Sequence, residues 1–219
     1  MNNLQKIGGI AALYLAAAYL VGIVLFLFVL DYPNIVDPAQ KVALLVDKQI
    51  VIYSTNLILY VIFGVVLIVL ALALYERLKA SPPAIIQAAT AIGIIWAGSL
   101  VASGMVSNAG IAPVVALYSK DPAQAALTWL GIESVASGLG NGNGEILGGL
   151  FTLLVSWAAL RIGGLPKFLN YLGVLVGLVG IVSTIPGLSD LVGIFGISQL
   201  VWFVWLGIVM LRRSPSAAA

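Results

Sequence analysis

The sequence predicts an all-α integral membrane protein with six transmembrane helices, and three observations support this prediction. Only 8% of the 219 residues are charged and 62% are hydrophobic, whereas a soluble domain carries about a quarter charged residues. The apolar residues form six runs, separated by segments that hold most of the proline and charged residues. Lysine and arginine concentrate in alternate segments, as expected for a chain that crosses a bilayer repeatedly.

The six runs approach the roughly 20 apolar residues that an α-helix needs to cross the hydrocarbon layer. Within a single transmembrane domain, residues 1–219, the predicted spans cover residues 7–30, 49–75, 84–106, 133–160, 168–185 and 191–211. By composition alone, residues 107–144, which contain Pro113, are predicted to lie largely outside the membrane, whereas the 84-residue repeat described below extends the fourth span back to residue 133. Their second half is expected to form a short external helix between the third and fourth spans.

The basic residues predict the orientation of the spans. With the N-terminus inside, seven basic residues face the cytoplasm and three face outward. The cytoplasmic set is Lys6, Arg77, Lys79, Arg161, Lys167, Arg212 and Arg213, and the external set is Lys41, Lys48 and Lys120. The positive-inside rule therefore predicts that both termini are cytoplasmic. The expected location is the cell membrane, as a multi-pass protein of a bacterial inner or plasma membrane.

A short motif recurs within the chain. The run that begins at Asp37 (Asp-Pro-Ala-Gln) returns at Asp121, an offset of 84 residues, and the same offset maps Arg77 onto Arg161. We interpret this as a duplicated helical hairpin, spans one–two and three–four; chance recurrence of short motifs is the alternative. In each copy the aspartate is expected to cap a helix whose first residue is proline.

The stretch from Gly138 to Glu145 is the candidate site. It holds four glycines, two asparagines and one carboxylate within otherwise apolar sequence. We interpret it as a break in the fourth span near residues 138–144, because a broken helix exposes main-chain groups that can bind a ligand beside a cavity. The alternative is an external turn, in which Asn143 caps a new helix and Glu145 lies in its first turn.

Five residues are predicted to bind a ligand: Glu145, Asn141, Asn143, Asn56 and Glu133. A carboxylate within a membrane is energetically costly and usually contacts an ion, a proton or a ligand. Asparagine side chains can both donate and accept hydrogen bonds. Asn56 joins this group because the 84-residue offset brings it to Gly140, at the same depth of the fourth span.

The missing residue types restrict the chemistry. The chain has no cysteine and no histidine, so it lacks thiolates and the commonest ligands of zinc and haem. We therefore expect no catalytic residues, no metal and no cofactor, and a protein that is not an enzyme. The net charge of +2 is too small to indicate nucleic acid as a partner.

Three further motifs carry a resemblance to a known family. Asp121-Pro122-Ala123 is followed by a run from Gly144 to Leu150 (Gly-Glu-Ile-Leu-Gly-Gly-Leu), and then by a run from Arg161 to Pro166 (Arg-Ile-Gly-Gly-Leu-Pro) that leads into Leu172-Gly173. With its six spans, the chain resembles a bacterial family of small six-span membrane proteins of unknown function. The resemblance implies the architecture, and it favours Glu145 as the residue of interest.

The function expected from these features is that of a non-enzymatic membrane protein. It would bind or pass a small molecule, a lipid-like ligand or an ion in the outer half of the helix bundle, with the lipid bilayer around it. The alternative is a structural or accessory subunit that packs against other membrane subunits in a larger complex.

Overall fold

The computed structural model describes residues 3–212; it is 88% helix and contains no β-strand in this range. Its helices are α1 (Asn3–Val29), α2 (Pro38–Asp47), α3 (Gln49–Leu78), α4 (Pro83–Tyr118), α5 (Pro122–Ile162), α6 (Lys167–Val182) and α7 (Leu191–Leu211). By length and composition, α1, α3, α4, α5 and α7 could each cross a membrane, whereas α6 is apolar but shorter. Arg213, which the charge count uses, lies outside the described residues.

The helices α4 and α5 are longer than their predicted spans. Helix α4 has 36 residues and continues through Pro113 to Tyr118, and α5 has 41 residues and begins at Pro122. At 1.5 Å per residue they are about 54 and 62 Å long, compared with a hydrocarbon layer of roughly 30 Å. The prediction of a separate short helix in the second half of residues 107–144 is therefore wrong, because these residues belong to the long helices α4 and α5. The separate short helix is α2, between α1 and α3.

The long helices and α6 form a closed ring in which each helix packs against its neighbours in sequence, and α1 packs against α7. Glycines allow the closest approaches. A Cβ added at Gly177 of α6 would lie 2.6 Å from the main-chain oxygen of Gly149 in α5, and one at Gly207 of α7 would lie 3.0 Å from the oxygen of Gly9 in α1. Small residues at such crossings allow close van der Waals packing, which stabilises helix association in lipid.

Large aromatic side chains fill the middle of the ring. Trp96, Phe151, Trp202 and Phe203 are at most 2% exposed. Phe63 of α3 packs edge-on against both Trp96 and Phe203, with ring centroids 6.1 and 6.4 Å apart. These contacts join helices α3, α4 and α7 in the middle of the ring. The site described below lies between this aromatic core and the second apolar cluster.

A second apolar cluster lies at one end of the ring. Helix α2 packs there against the end of α4 and the beginning of α5, and we call this group the cap. Its buried residues are Leu30, Val42, Leu45, Ile52, Ile111, Val114, Ala125, Ala126 and Trp129. The parts of α4 and α5 that exceed the length of a membrane span therefore have a packing partner of their own.

The opposite end of the ring holds both ends of the described chain. The side-chain amide of Gln5 donates to the main-chain oxygen of Met210 over 3.1 Å, so α1 starts where α7 ends. The guanidinium of Arg77 donates to the main-chain oxygen of Gly164 over 3.0 Å, which brings the α3–α4 and α5–α6 connections to this same end. The basic residues counted as cytoplasmic, so far as they lie within residues 3–212, thus gather at one end of the ring, and Lys41 lies at the other, in the cap.

The helix boundaries repeat at the offset found in the sequence. Pro38 and Pro122 begin helices, Leu78 and Ile162 end them, and each pair is separated by 84 residues. The Asp37 carboxylate accepts a hydrogen bond from the Ala39 amide over 2.9 Å, and the Asp121 carboxylate accepts one from the Gln124 amide over 3.0 Å. Both predicted helix caps are therefore present, and the matching boundaries support the predicted duplication.

Candidate ligand-binding site

The glycine-rich stretch does not break α5. Residues Gly138–Gly142 form a π-helical turn, and the residues on either side of it, Ser137 and Asn143, keep right-handed helical dihedral angles. The predicted break near residues 138–144 is therefore wrong, and so is the alternative in which Asn143 caps a separate helix. A π-turn inserts one extra residue without leaving the helical region, so the main-chain groups keep partners within the helix, as an apolar environment requires.

Two serines of α4 donate hydrogen bonds to main-chain oxygens within this turn and just before it. The Ser103 hydroxyl donates to the oxygen of Ala136 over 2.7 Å, and the Ser99 hydroxyl donates to the oxygen of Leu139 over 2.6 Å. A Cβ at Gly140 would lie 2.5 Å from the Ser103 Oγ. The turn is thus fixed against α4, and glycine is needed where the two helices meet.

The turn faces two adjoining cavities on the cap side of the aromatic core. The central cavity has a volume of about 420 Å³ and the cap cavity one of about 430 Å³, both within the range of small-molecule sites, roughly 300–1,000 Å³. Five residues line both cavities: Phe26, Tyr60, Asn141, Glu145 and Val192. Glu145 therefore lies where the two cavities meet.

One carboxylate oxygen of Glu145 is buried without a hydrogen-bond partner. Its side chain is 9% exposed, and its Oε2 atom accepts no hydrogen bond from any described residue. No lysine or arginine is among the described residues that line either cavity. An unpaired buried carboxylate is strongly unfavourable, so this atom is the one in the site that most requires an external partner.

Aromatic side chains surround the central cavity. Tyr19, Phe26, Tyr60, Phe63, Trp96 and Phe195 line it, and they come from α1, α3, α4 and α7. The indole nitrogen of Trp96 is also buried without a hydrogen-bond partner among the described residues. The cavity thus combines apolar walls with one unpaired donor and one unpaired acceptor, a composition typical of small-molecule sites.

The second predicted carboxylate, Glu133, is already paired. Lys41 of the cap donates to its two oxygens over 2.8 and 2.9 Å, and the Tyr32 hydroxyl donates to one of them over 2.8 Å. The indole of Trp129 donates to the Tyr32 oxygen over 3.3 Å. Burial raises the pKa of Tyr32, and the hydrogen bond to Glu133 adds to this shift, so the hydroxyl remains a donor at neutral pH. Glu133 lines the cap cavity, but Lys41 compensates its negative charge.

The predicted asparagines have different surroundings. Asn56 donates to the side-chain oxygen of Asn108 over 2.9 Å and lines the cap cavity. Asn143 donates to Ser99 Oγ over 2.8 Å and lines neither cavity. Asn141 lines both cavities, and its amide donates only to Ser137 on its own helix, over 3.3 Å. The structure therefore brings Asn141 and Glu145 together, places Asn56 and Glu133 in the adjoining cavity, and leaves Asn143 in the contact between α4 and α5.

The two carboxylates on α5 do not form a pair. Glu133 and Glu145 are 12 residues apart, which corresponds to about 18 Å along a helix axis. This distance is too large for a shared proton or a common metal ion. Within residues 3–212 there is also no group of three or more acidic residues that could hold a metal ion.

Sequence reasoning missed the residues that shape the site. Tyr19, Tyr60 and Trp96 supply cavity walls, and Ser99 and Ser103 fix the π-turn. The serines had a detectable signal, because residues four apart share one face of a helix and hydroxyls in an apolar span often bond to a neighbouring helix. The aromatic residues had no such signal, since their spacing in the sequence fits packing in the core as well as it fits lining a cavity.

Comparison with known proteins identifies no relative: no family model, no curated protein and no solved structure matches the chain. The resemblance to the bacterial six-span family therefore stays a prediction.

Proposed function

We propose that the protein is a six-span membrane protein with both termini in the cytoplasm and the cap outside. The apolar helices support the membrane location, and the gathering of basic residues at the end opposite the cap supports the orientation. Helix α6, with 16 residues, serves as a sixth, shorter span. Bilayers adapt to short spans by local thinning, and α6 is held by close glycine contacts with α5.

The function that the geometry supports best is binding of a small amphiphilic molecule in the central cavity, without catalysis. The buried and unpaired Oε2 of Glu145 carries this proposal, because a folded protein gains stability when a ligand satisfies such an atom. The aromatic walls would bind the apolar part of the ligand. The ligand's polar part would contact Glu145, with Asn141 and the Trp96 indole available for further hydrogen bonds.

Native mass spectrometry of the protein, extracted gently from its own membranes, tests this function. We expect a non-protein adduct on the wild type that is absent from Glu145→Gln, because the amide removes the charge but keeps the shape. Glu76→Gln is the matched control, since Glu76 is an exposed carboxylate at the opposite end of the bundle, where it pairs with Lys79. This control should keep the adduct.

Two outcomes would contradict the proposal. One is an adduct of the same mass and abundance on the wild type and on Glu145→Gln. The other is a wild-type chain that carries no small molecule but binds a second protein, equally in all three samples. The second result would favour the role of an accessory subunit in a larger membrane complex.

A further inference from the structure

We propose that the ligand of the central cavity is a hydrophobic organic cation and that it reaches the cavity from the bilayer, between α1 and α7. This inference rests on the proposed function of the cavity and adds the chemical class of the ligand and its route. Three features carry it: the unpaired charge, the aromatic walls, and the free space beside the glycines of α7.

The charge of the site selects a cation. Glu145 supplies the only charged group among the described residues that line the central cavity. No lysine or arginine lines the adjoining cap cavity either, and the carboxylate there, Glu133, is held by Lys41. A bound cation stabilises the ionised form of the Glu145 carboxylate, whereas an anion would be repelled by it.

The walls select a cation with a large apolar surface. Six aromatic rings line the central cavity, together with aliphatic side chains such as Ile23, Leu59 and Leu100. Aromatic faces attract cations, and the attraction is stronger when the cation is removed from water. A small hydrated metal ion would gain little from such walls, because hard cations prefer oxygen ligands. An ammonium or phosphonium ion with apolar substituents matches both the carboxylate and the rings.

The glycines of α7 differ in the space around them. At the termini end, a Cβ on Gly207 would lie 3.0 Å from the Gly9 oxygen. About three and four turns nearer the start of α7, a Cβ on Gly196 would have the Tyr19 ring as its nearest neighbour, at 3.9 Å, and one on Gly193 would have no neighbour within 4 Å. Both glycines line the central cavity, so this side of α7 has free space that its contact with α1 near the cytoplasmic ends lacks; we call this space the gap.

This gap opens on the surface that we assign to lipid. Leu27 of α1 and Val192 and Ile197 of α7 line the central cavity and are 48%, 38% and 62% exposed, respectively. Their side chains thus contact both the cavity and the surroundings of the bundle. On the cap side, Lys41 and Glu133 form an ion pair and Trp129 is buried. A molecule dissolved in the bilayer reaches the central cavity past these exposed side chains of α1 and α7.

The test is equilibrium binding of tetraphenylphosphonium to the purified protein in nanodiscs of zwitterionic lipid. Tetraphenylborate, an anion of nearly the same size and shape, is the control probe. We expect saturable binding of the cation and none of the anion.

We expect Glu145→Gln to weaken cation binding by about tenfold or more, because truncating one partner of a buried charge pair removes its attraction. Glu76→Gln should bind as the wild type does, and Glu145→Asp, which keeps the charge, should retain part of the affinity if the amide variant misfolds.

The route is tested by the rate of association. Gly193→Phe introduces a large side chain at a position that lines the cavity and where a Cβ meets nothing within 4 Å. Gly98→Phe is the matched control, since Gly98 also has no neighbour within that distance and does not line either cavity. We expect slower association of tetraphenylphosphonium in Gly193→Phe only. Equal rates in the two variants would overturn the route between α1 and α7.

The results also separate this inference from the proposed function. If tetraphenylphosphonium binds no better than tetraphenylborate, but native preparations carry an adduct that depends on Glu145, the cavity is a ligand site and the cationic class is wrong. If neither probe binds in a way that depends on Glu145 and no native adduct exists, both proposals fail. Equal binding of the cation to the wild type and to Glu145→Gln overturns the role of the carboxylate.

Discussion

The Ser103 hydroxyl of α4 donates a hydrogen bond to the main-chain oxygen of Ala136 in α5, over 2.7 Å. Ala136 lies just before the π-turn, and Ser103 also lies beneath Gly140, the buried glycine within it. This contact fixes the position of the turn against α4. Because Asn141 and Glu145 follow on the same helix, it also determines how they face the cavities.

Gly140→Ala should destabilise the protein, because the added methyl group would displace Ser103 from its bond to Ala136. Overpacking of this kind costs typically about 1–3 kcal/mol. Gly142→Ala is the control within the same turn, since a Cβ there meets nothing within 4 Å, and alanine is the better helix former. Unfolding in mixed detergent micelles measures both. Equal stability of the two variants would contradict the proposed contact.

Lys41→Met should destabilise the cap, because it leaves the Glu133 carboxylate without its cation while Tyr32 alone remains as a donor. Hydrogen bonds to charged groups contribute roughly 1.5–3 kcal/mol, and the two side chains are only 19% and 23% exposed. Lys79→Met is the control, because the Lys79–Glu76 pair is exposed and such pairs contribute about 0–1 kcal/mol. Hydrogen exchange of the α2 amides should increase in the first variant alone. An unchanged exchange rate in both would show that the pair does not hold the cap.

Asn56→Leu and Asn108→Leu should show coupled effects on stability, since the Asn56 amide donates to the Asn108 oxygen. Double-mutant cycles for hydrogen bonds between membrane helices average about 0.6 kcal/mol, with a maximum near 1.7 kcal/mol. We expect the double variant to be more stable than the sum of the single effects predicts. Strict additivity would mean that the two amides do not interact in the folded protein.

Asp37→Ala and Asp121→Ala should destabilise the helices α2 and α5 by similar amounts, because each aspartate accepts a hydrogen bond from the first turn of its helix. Loss of such a cap costs about 0.5–2 kcal/mol. Substitution by asparagine, which also caps helices, should preserve most of the stability. Thermal unfolding of the four variants in one detergent provides the comparison. An alanine variant as stable as its asparagine counterpart would contradict the capping role.

Much of the architecture was predictable because it depends on local signals. Pro38 and Pro122 mark helix starts, and the last helix has the bounds that were predicted for the sixth span, Leu191–Leu211. Pro113 and the glycine-rich stretch misled the prediction, since both are helix breakers in water. In this protein Pro113 lies inside α4, and Ser99 and Ser103 supply partners for the main-chain oxygens near the π-turn. Those partners lie 40 and 33 residues away in sequence and cannot be inferred from the stretch itself.

The candidate site was predictable only in part, and for a related reason. Glu145 stands out in sequence as a carboxylate within an apolar run, and the structure leaves it buried and unpaired. Glu133 and Asn143 looked equivalent as polar residues nearby, but Lys41 and Ser99 bind them. These partners belong to other helices, so only the packing of the chain separates the unpaired carboxylate from the paired one.

The most direct test of the account is a crystal structure, grown from a lipidic mesophase, of the protein purified from its own membranes. We predict density for a non-protein molecule in the central cavity, within hydrogen-bonding or ion-pairing distance of the Glu145 carboxylate and against the Trp96 and Tyr19 rings. A cavity that holds only ordered water, or a Glu145 carboxylate bound to another side chain, would contradict the account.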